Sequence, residues 1–164
     1  MTEENLSMKI NKTNAARLLD KAGISYELIP YQVDEEDLSA VHVASVLGED
    51  VALVYKTIVL RGDRNGIFVC VIPGEAEVDL KKAAKVSGNK SAATVHVKEL
   101  LGLTGYIRGG CSPVGMKKPY PVFISSEVLS CSYIYVSAGV RGLQMKLAPS
   151  DLMKVTGAVP AEII

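Results

Sequence analysis

The chain has 164 residues, enough for one domain of ordinary size, and 48% of them are apolar, enough for a substantial core. No apolar run approaches the ~18 residues that a membrane helix needs, and the acidic start at Glu3 and Glu4 is unlike a signal peptide. We therefore expect a cytoplasmic protein with no membrane partner. Three cysteines without a Cys-x-x-Cys pair and two histidines argue against a zinc site or a disulfide framework, and no feature requires a cofactor.

The net charge of zero is unevenly distributed along the sequence. Residues 1–80 hold 7 Lys+Arg against 14 Asp+Glu, a net of −7, whereas residues 81–164 hold 11 against 4, a net of +7. This asymmetry is one sign of an anionic partner for the basic half. The alternative is that the two halves interleave in the fold and their charges mix.

Capping residues and apolar spacing predict the elements in chain order. Residues 1–8 are expected to be a flexible N-terminal extension, and residues 9–164 a single domain. Asn11 or Thr13 is expected to cap the first helix and Ser39 the second. Runs rich in β-branched residues, separated by turn residues, predict strands. We expect helices at about residues 14–22, 40–47, 80–87, 97–101 and 151–156, and strands at about 24–33, 51–60, 67–72, 122–124, 133–137 and 143–147.

The predicted strands outnumber the predicted helices and do not alternate with them strictly. This order is typical of a mixed α+β domain built on a curled or barrel-like sheet, rather than of a doubly wound fold. The strands at residues 51–60 and 67–72, with a turn at residues 61–66 between them, are expected to form a β-hairpin.

Lys56 is the only charged residue in the segment 51–60, which otherwise favours a core. Strand alternation places it on the same face as Val54 and Ile58. Because burying an unpaired ammonium is unfavourable, Lys56 is expected to reach a cavity or to bind an anion. The alternative is that its side chain extends to the edge of the sheet and keeps the ammonium in water.

Two glycine-containing segments are further candidates. Residues 109–115 (GGCSPVG), here called the glycine loop, are followed by Lys117 and Lys118, and residues 137–142 (SAGVRG) combine a hydroxyl with glycines. Glycines let a backbone approach a ligand closely and expose N–H groups that can hold an anion or an oxyanion. Taken alone, each segment is better explained as a tight turn.

Two classes of nucleophilic enzyme are disfavoured. Neither histidine lies near a Gly-x-Ser-x-Gly motif, which argues against a Ser-His-Asp hydrolase. Cys111 lies in the glycine loop, but the sequence offers it no evident activating neighbour. Tyr31, Tyr55 and Tyr106 are candidates for lining a pocket, although seven tyrosines in a chain without tryptophan are more often ordinary packing.

Four motifs follow one another along the chain. They are VYKTIV at residues 54–59, DLKKAA at 79–84, GYIRGGCSPVGMKK at 105–118 and YVSAGVRGL at 135–143. Together they resemble the YbaK branch of the YbaK/prolyl-tRNA-synthetase editing-domain family, over about residues 9–160. The resemblance implies a mixed, barrel-like sheet surrounded by helices. It also implies a freestanding deacylase for cysteine on Cys-tRNA(Pro), with Cys-tRNA(Cys) as a candidate second substrate.

The resemblance also implies residue roles. Lys56 resembles the family's essential lysine, which holds the phosphate backbone or the terminal ribose of the tRNA acceptor end. Gly109 and Gly110 resemble the backbone around the aminoacyl carbonyl, and Ser137 resembles the hydroxyl that lines the same pocket. The implied catalytic residues are therefore Lys56, Gly109, Gly110 and Ser137, and the implied substrate-binding residues are Tyr31, Thr57, Ser112, Pro113 and Gly139.

The chemistry implied by the resemblance needs no nucleophile from the enzyme. The cysteine thiol of the substrate attacks its own ester carbonyl, and well-oriented intramolecular attack can supply ~7–11 kcal/mol of the barrier. Relatives can carry an aliphatic residue in place of Cys111, which argues against Cys111 as an obligatory nucleophile. A transient complex with prolyl-tRNA synthetase is also implied. Two alternatives stay open: a hydrolase that clears Ala-tRNA(Pro) with activated water, and a non-catalytic module that binds tRNA or a synthetase.

Overall fold

The structure, a computed structural model, describes residues 12–164, so the predicted extension at residues 1–8 lies outside the described part. Helix α1 spans Asn14–Lys21. It begins where the Thr13 hydroxyl accepts a hydrogen bond from the Ala16 amide at 3.2 Å, which satisfies one of the free N–H groups of the first turn. The predicted cap at Thr13 is confirmed.

Strand β1 (Tyr26–Pro30) leads through an acidic segment, defined here as residues 34–38, into helix α2 (Ala40–Leu47). The Ser39 hydroxyl caps α2 by accepting a hydrogen bond from the His42 amide at 3.2 Å. The predicted second helix and its cap are confirmed.

Strands β2 (Tyr55–Gly62) and β3 (Gly66–Pro73) pair antiparallel and form the predicted hairpin. The predicted start of the first strand at residue 51 is wrong. Asp50 accepts a hydrogen bond from the Ala52 amide at 2.9 Å and begins a 3-10 turn over Val51–Leu53 instead.

The C-terminal half supplies the other elements. Asp79 caps helix α3 (Leu80–Val86), as predicted, by accepting hydrogen bonds from the amides of Lys81 and Lys82. The last helix begins earlier than predicted because Pro149, whose φ suits a first helical turn, already lies within it. None of the helices in residues 12–164 is long and apolar enough to cross a membrane. The elements are α3 (Leu80–Val86), β4 (Ala92–Thr94), α4 (Val97–Thr104), β5 (Val122–Ser125), a 3-10 turn (Ser126–Ser130), β6 (Ile134–Ser137), β7 (Leu143–Leu147), α5 (Pro149–Thr156) and β8 (Val159–Ala161).

The strands of the described residues form two sheets rather than one closed barrel. A five-stranded mixed sheet has the order β4-β2-β3-β5-β8, and a three-stranded antiparallel sheet has the order β1-β7-β6. An isolated bridge between Val54 and Tyr135 links them. The predicted α+β class is confirmed, whereas the barrel-like closure is not.

The main core lies between the two sheets. Val59 of β2, Val136 of β6 and Leu19 of α1 belong to this cluster of buried side chains. On the opposite face of the five-stranded sheet, Leu60 of β2 packs in a second cluster with Ala83 of α3. Strand β3 contributes to both clusters, with Val69 in the first and Phe68 in the second. Because successive residues of a strand point to opposite faces and both faces are covered here, β3 is a continuous apolar run from Ile67 to Ile72.

Candidate functional site

A cavity of about 500 Å³ opens along one edge of β2. Strand β4 pairs with β2 only at Leu60–Gly62, so among residues 12–164 that edge has no strand partner between Lys56 and Ile58. The acidic segment, the start of α4, the glycine loop and the β6–β7 pair supply the other walls. The cavity is lined by residues 36–40, 54–59, 94–97 and 108–109, together with Val43, Gly74, Leu100, Cys111, Ser137 and Gln144.

The cavity brings together four of the predicted site residues, namely Lys56, Thr57, Gly109 and Ser137. They come from β2, the glycine loop and the end of β6, which are far apart in the sequence. The lysine, the glycine loop and the hydroxyl are separate candidates in the sequence, and in the structure they share one cavity. Their roles towards a substrate stay predictions.

Lys56 is half-buried in the cavity wall. Burial lowers the pKa of its ammonium, and the nearby Glu77 carboxylate acts in the opposite direction. No ion pair among residues 12–164 involves Lys56. A partly desolvated cation without an ion-pair partner in the described chain favours an anionic ligand, which agrees with the cavity interpretation rather than with a side chain extended to the edge of the sheet.

Ser137 and Gly109 contribute different properties to the wall. The buried Ser137 Oγ accepts a hydrogen bond from the Gly139 amide at 3.1 Å, and among residues 12–164 no acceptor pairs with its hydroxyl hydrogen. Gly109 has φ +84°, and a Cβ there would lie 3.3 Å from Arg141 Nε and 3.4 Å from Leu38 Cβ. The left-handed backbone and the close packing both require glycine at this position.

Three predicted residues next to Gly109 are buried and are not part of the cavity lining: Gly110, Ser112 and Pro113. The Gly110 amide donates to the Ile107 carbonyl at 2.9 Å, so in this structure it is not free to stabilise an oxyanion. The Ser112 hydroxyl accepts from the Val114 amide at 3.2 Å, so it stabilises the turn in which it lies.

Gly139 and Tyr31, two other predicted residues, also lie outside the lining. A Cβ at Gly139 would lie 2.9 Å from Tyr106 Cε1, so the missing side chain makes room for the tyrosine ring. Tyr31 packs against a small apolar cluster beside α2, and its amide donates to the Gly142 carbonyl at 2.9 Å. Of the three tyrosines considered from the sequence, Tyr55 contributes to the lining and Tyr31 and Tyr106 do not.

Gln144 lines the cavity and is absent from the predicted set. It lies directly opposite Ser137 in the β6–β7 pair and is 5% exposed. Its Oε1 atom is buried without a hydrogen-bond partner among residues 12–164, which is unfavourable and uncommon in a folded protein. The sequence does carry a signal for it, because Gln144 is a polar residue in the largely apolar strand Leu143–Leu147, much as Lys56 is in β2.

Arg141 links the acidic segment to the residue that precedes the glycine loop. Its Nε donates to the Arg108 carbonyl at 2.9 Å, and its Nη1 forms an ion pair with Glu35 Oε2 at 2.8 Å. Residues of both linked segments line the cavity. A single guanidinium thus fixes the relative position of two parts of the wall.

Cys111 also lines the cavity. Burial raises the pKa of its thiol to about 11. A thiol with this pKa is protonated near neutral pH, and the thiolate is the nucleophilic form. The arrangement therefore disfavours covalent catalysis through Cys111.

Proteins of two bacteria are similar to this chain in sequence. A protein of Enterococcus faecalis named "Putative Cys-tRNA(Pro)/Cys-tRNA(Cys) deacylase EbsC" is 46% identical over 152 residues, which are 93% of this chain and 93% of that protein. A proline–tRNA ligase of Fervidobacterium nodosum is 33% identical over 79 residues, 48% of this chain and 14% of the ligase.

A solved structure described as "a putative trans-editing enzyme for prolyl tRNA synthetase" has the same fold. It superposes with a TM-score of 0.77 at 24% identity, covering 93% of this chain and 98% of the other. The sequence profile of the aminoacyl-tRNA editing domain matches residues 34–155, which include the acidic segment, β2, the glycine loop and the β6–β7 pair. The chain belongs to the aminoacyl-tRNA editing domain family.

Proposed function

We propose that this protein is a trans-editing deacylase that removes cysteine from mischarged Cys-tRNA(Pro), with Cys-tRNA(Cys) as a second substrate. The observation that carries the proposal is the 46% identity, across nearly the whole of both chains, to the E. faecalis protein named for that activity. In this proposal residues 9–164 form a single deacylase domain, and the enzyme acts in the cytoplasm on the acceptor end of aminoacylated tRNA.

The dimensions and charge of the cavity support a small ester as the group that enters it. Its volume of about 500 Å³ lies within the range of small-molecule sites, roughly 300–1,000 Å³. Lys56 supplies a partly buried positive charge for the phosphate or terminal ribose of the RNA, with Thr57 beside it. Ser137 supplies a hydroxyl that accepts from the Gly139 amide and can donate its hydrogen to the aminoacyl carbonyl.

We assign the cleavage step to the thiol of the substrate. Its sulfur attacks the ester carbonyl carbon, a C–S bond forms, and the C–O bond to the terminal ribose breaks. The thiol proton passes to the ribose oxygen, so the products are cysteine thiolactone and free tRNA, and water later opens the thiolactone. Orientation of the thiol can supply ~7–11 kcal/mol of the barrier. The raised pKa of Cys111 supports this route over an enzyme nucleophile.

The other predicted residues have less direct parts in the proposal. Gly109 lets the backbone approach the ester carbonyl, and each donor to the developing oxyanion is worth ~3–4 kcal/mol in known enzymes. Prolyl-tRNA synthetase is the proposed transient partner that delivers the substrate, in keeping with the relationship to a proline–tRNA ligase. The predicted residues outside the cavity lining, which we propose shape its loops, are Tyr31, Gly110, Ser112, Pro113 and Gly139.

The proposal is tested by incubating purified protein with Cys-tRNA(Pro), Cys-tRNA(Cys) and Ala-tRNA(Pro) and measuring amino-acid release. We expect release of cysteine and little release of alanine, because an alanyl ester has no thiol. Lys56→Ala should lower the rate by about 10- to 100-fold, the usual cost of losing a charged hydrogen bond. The exposed Lys85→Ala variant is the matched control and should keep full activity.

Each contrary result contradicts a different part of the proposal. Preferential release of alanine would show a hydrolase that activates water. Binding of tRNA without turnover of any aminoacyl ester would show a non-catalytic module. Full activity in Lys56→Ala would remove the role assigned to Lys56 while leaving the deacylase activity in place.

A further inference from the structure

Arg108 is exposed at the cavity and has no role in the proposed reaction. It lines the same cavity as Lys56, and its side chain is exposed. No ion pair among residues 12–164 involves its guanidinium, whereas the neighbouring Arg141 is paired with Glu35. Within the described chain, Arg108 therefore presents a guanidinium without an ion-pair partner at the cavity.

The backbone around Arg108 is fixed on both sides. Its own carbonyl accepts a hydrogen bond from Arg141 Nε at 2.9 Å, and the preceding carbonyl, of Ile107, accepts one from the Gly110 amide at 2.9 Å. Only the side chain has to become ordered when a ligand binds, which lowers the entropic cost of binding.

The two side chains in the cavity wall that carry a permanent positive charge differ in how far they are exposed to solvent. Lys56 is half-buried, Arg108 is exposed, and the lining carboxylates of Glu36 and Asp37 would repel a phosphate. In an aminoacyl ester at the 3′ end of RNA, the terminal ribose adjoins the ester and the phosphodiester lies one step farther out. If the ester enters the cavity, the terminal ribose lies near the half-buried Lys56 and the phosphodiester lies near the exposed Arg108.

We propose that Arg108 binds the phosphodiester that joins the terminal nucleotide to the rest of the RNA acceptor end. This assignment rests on the proposed function and adds a substrate-binding residue to its site. A guanidinium matches the geometry of a phosphate with two parallel N–H donors, and in this position it would keep the ester at a fixed depth.

The test compares two substrates that differ in phosphate. One is Cys-tRNA(Pro), and the other is adenosine esterified with cysteine at its 3′ oxygen, which has no phosphodiester. Arg108→Ala should raise KM for the tRNA about tenfold with little change in kcat, and should leave kcat/KM for the adenosine ester unchanged. Arg108→Lys should recover part of the loss. Arg64→Ala, an exposed arginine in the β2–β3 turn, is the matched control.

Binding of uncharged tRNA gives a readout that does not depend on catalysis. Loss of one phosphate contact should reduce the slope of log affinity against log salt concentration by about 0.7, the value for a single-stranded end. The Arg108 assignment is overturned if Arg108→Ala binds and cleaves tRNA as the wild type does, or if it weakens both substrates equally. Absence of turnover in the wild type, together with the reduced salt slope in Arg108→Ala, would contradict the proposed function and leave Arg108 as a phosphate-binding residue.

Discussion

Lys56 and Gln144 are polar residues in strands that otherwise build the core, and both line the same cavity. One is a partly desolvated ammonium, and the other has a buried carbonyl oxygen without a hydrogen-bond partner in the described part of the chain. Each is unfavourable for folding by itself, and such conflicts between local environment and residue type concentrate at functional sites. The stability of variants at these two positions should therefore differ from that of ordinary core substitutions.

Gln144→Met should not destabilise the protein. It replaces a carboxamide whose buried Oε1 has no hydrogen-bond partner among residues 12–164 with an apolar side chain of similar length. Removing a buried unpaired polar atom is neutral or stabilising, by up to ~1 kcal/mol. The contrast is Thr104→Val, because the Thr104 hydroxyl donates to the Leu100 carbonyl at 2.8 Å and accepts from the Tyr106 amide at 3.0 Å. That variant should lose ~1–3 kcal/mol in urea unfolding. Equal losses in the two variants would contradict the unpaired state of Gln144.

Lys56→Met should be more stable than the wild type near neutral pH, since burial of the ammonium lowers its pKa from the ordinary 10.5. Between the lowered pKa of the folded state and 10.5, the unfolded chain binds more protons at this residue, so wild-type stability rises with pH in that window. The advantage of Lys56→Met is therefore largest below the window and shrinks as the pH approaches 10.5. Urea unfolding at several pH values measures it, and a constant difference up to pH 10.5 would be the contrary result.

At the scale of elements, the site depends on loops that meet through a few side chains. Arg141 connects the acidic segment with Arg108 through one hydrogen bond and one ion pair. Glu35, the partner in the ion pair, is 73% exposed in its side chain, so water screens that interaction. The hydrogen bond to the Arg108 carbonyl should therefore contribute more to the position of the loop than the ion pair.

Arg141→Met should lower the free energy of unfolding by ~1–3 kcal/mol and slow deacylation, because Gly109 and Arg108 lose their support. Glu35→Gln removes only the exposed ion pair and should cost under ~1 kcal/mol. Urea unfolding and cysteine release from Cys-tRNA(Pro) measure the two effects. Losses of the same size in both variants would show that the ion pair, rather than the hydrogen bond, positions the loop.

At the scale of the whole molecule, sequence patterns that act within a few residues predict the structure better than patterns that depend on contacts between distant segments. The caps at Thr13, Ser39 and Asp79 act within a few residues of themselves, and each was evident in the sequence. Lys56 was conspicuous because its neighbours in the chain are apolar. Gln144 is likewise a polar residue in a largely apolar strand, but its place opposite Ser137 depends on strand pairing, and the place of Arg108 at the cavity depends on loop contacts. No local pattern encodes these contacts across the fold.

The uneven charge of the two halves of the sequence also shows that local composition does not reveal which distant segments pair in the fold. Strand β1 of the acidic half pairs with β7 of the basic half, where Glu27 lies opposite Lys146, and β3 pairs with β5. The halves therefore interleave in both sheets, as the alternative interpretation holds. The charge asymmetry of the sequence therefore gives no evidence for a basic surface formed by the C-terminal half as a unit.

Among the described residues, the edge of β2 from Lys56 to Ile58 has no strand partner, and this has a consequence for solubility. A free strand edge exposes N–H and C=O groups that can pair with a strand of another molecule, and such pairing starts edge-to-edge aggregation. Here the free stretch from Lys56 to Ile58 lies in the wall of a cavity that the acidic segment and the glycine loop also enclose. A ligand small enough to enter can reach this edge, whereas a whole foreign strand meets those walls first. The loops that shape the site thereby also protect the protein against self-association through β2.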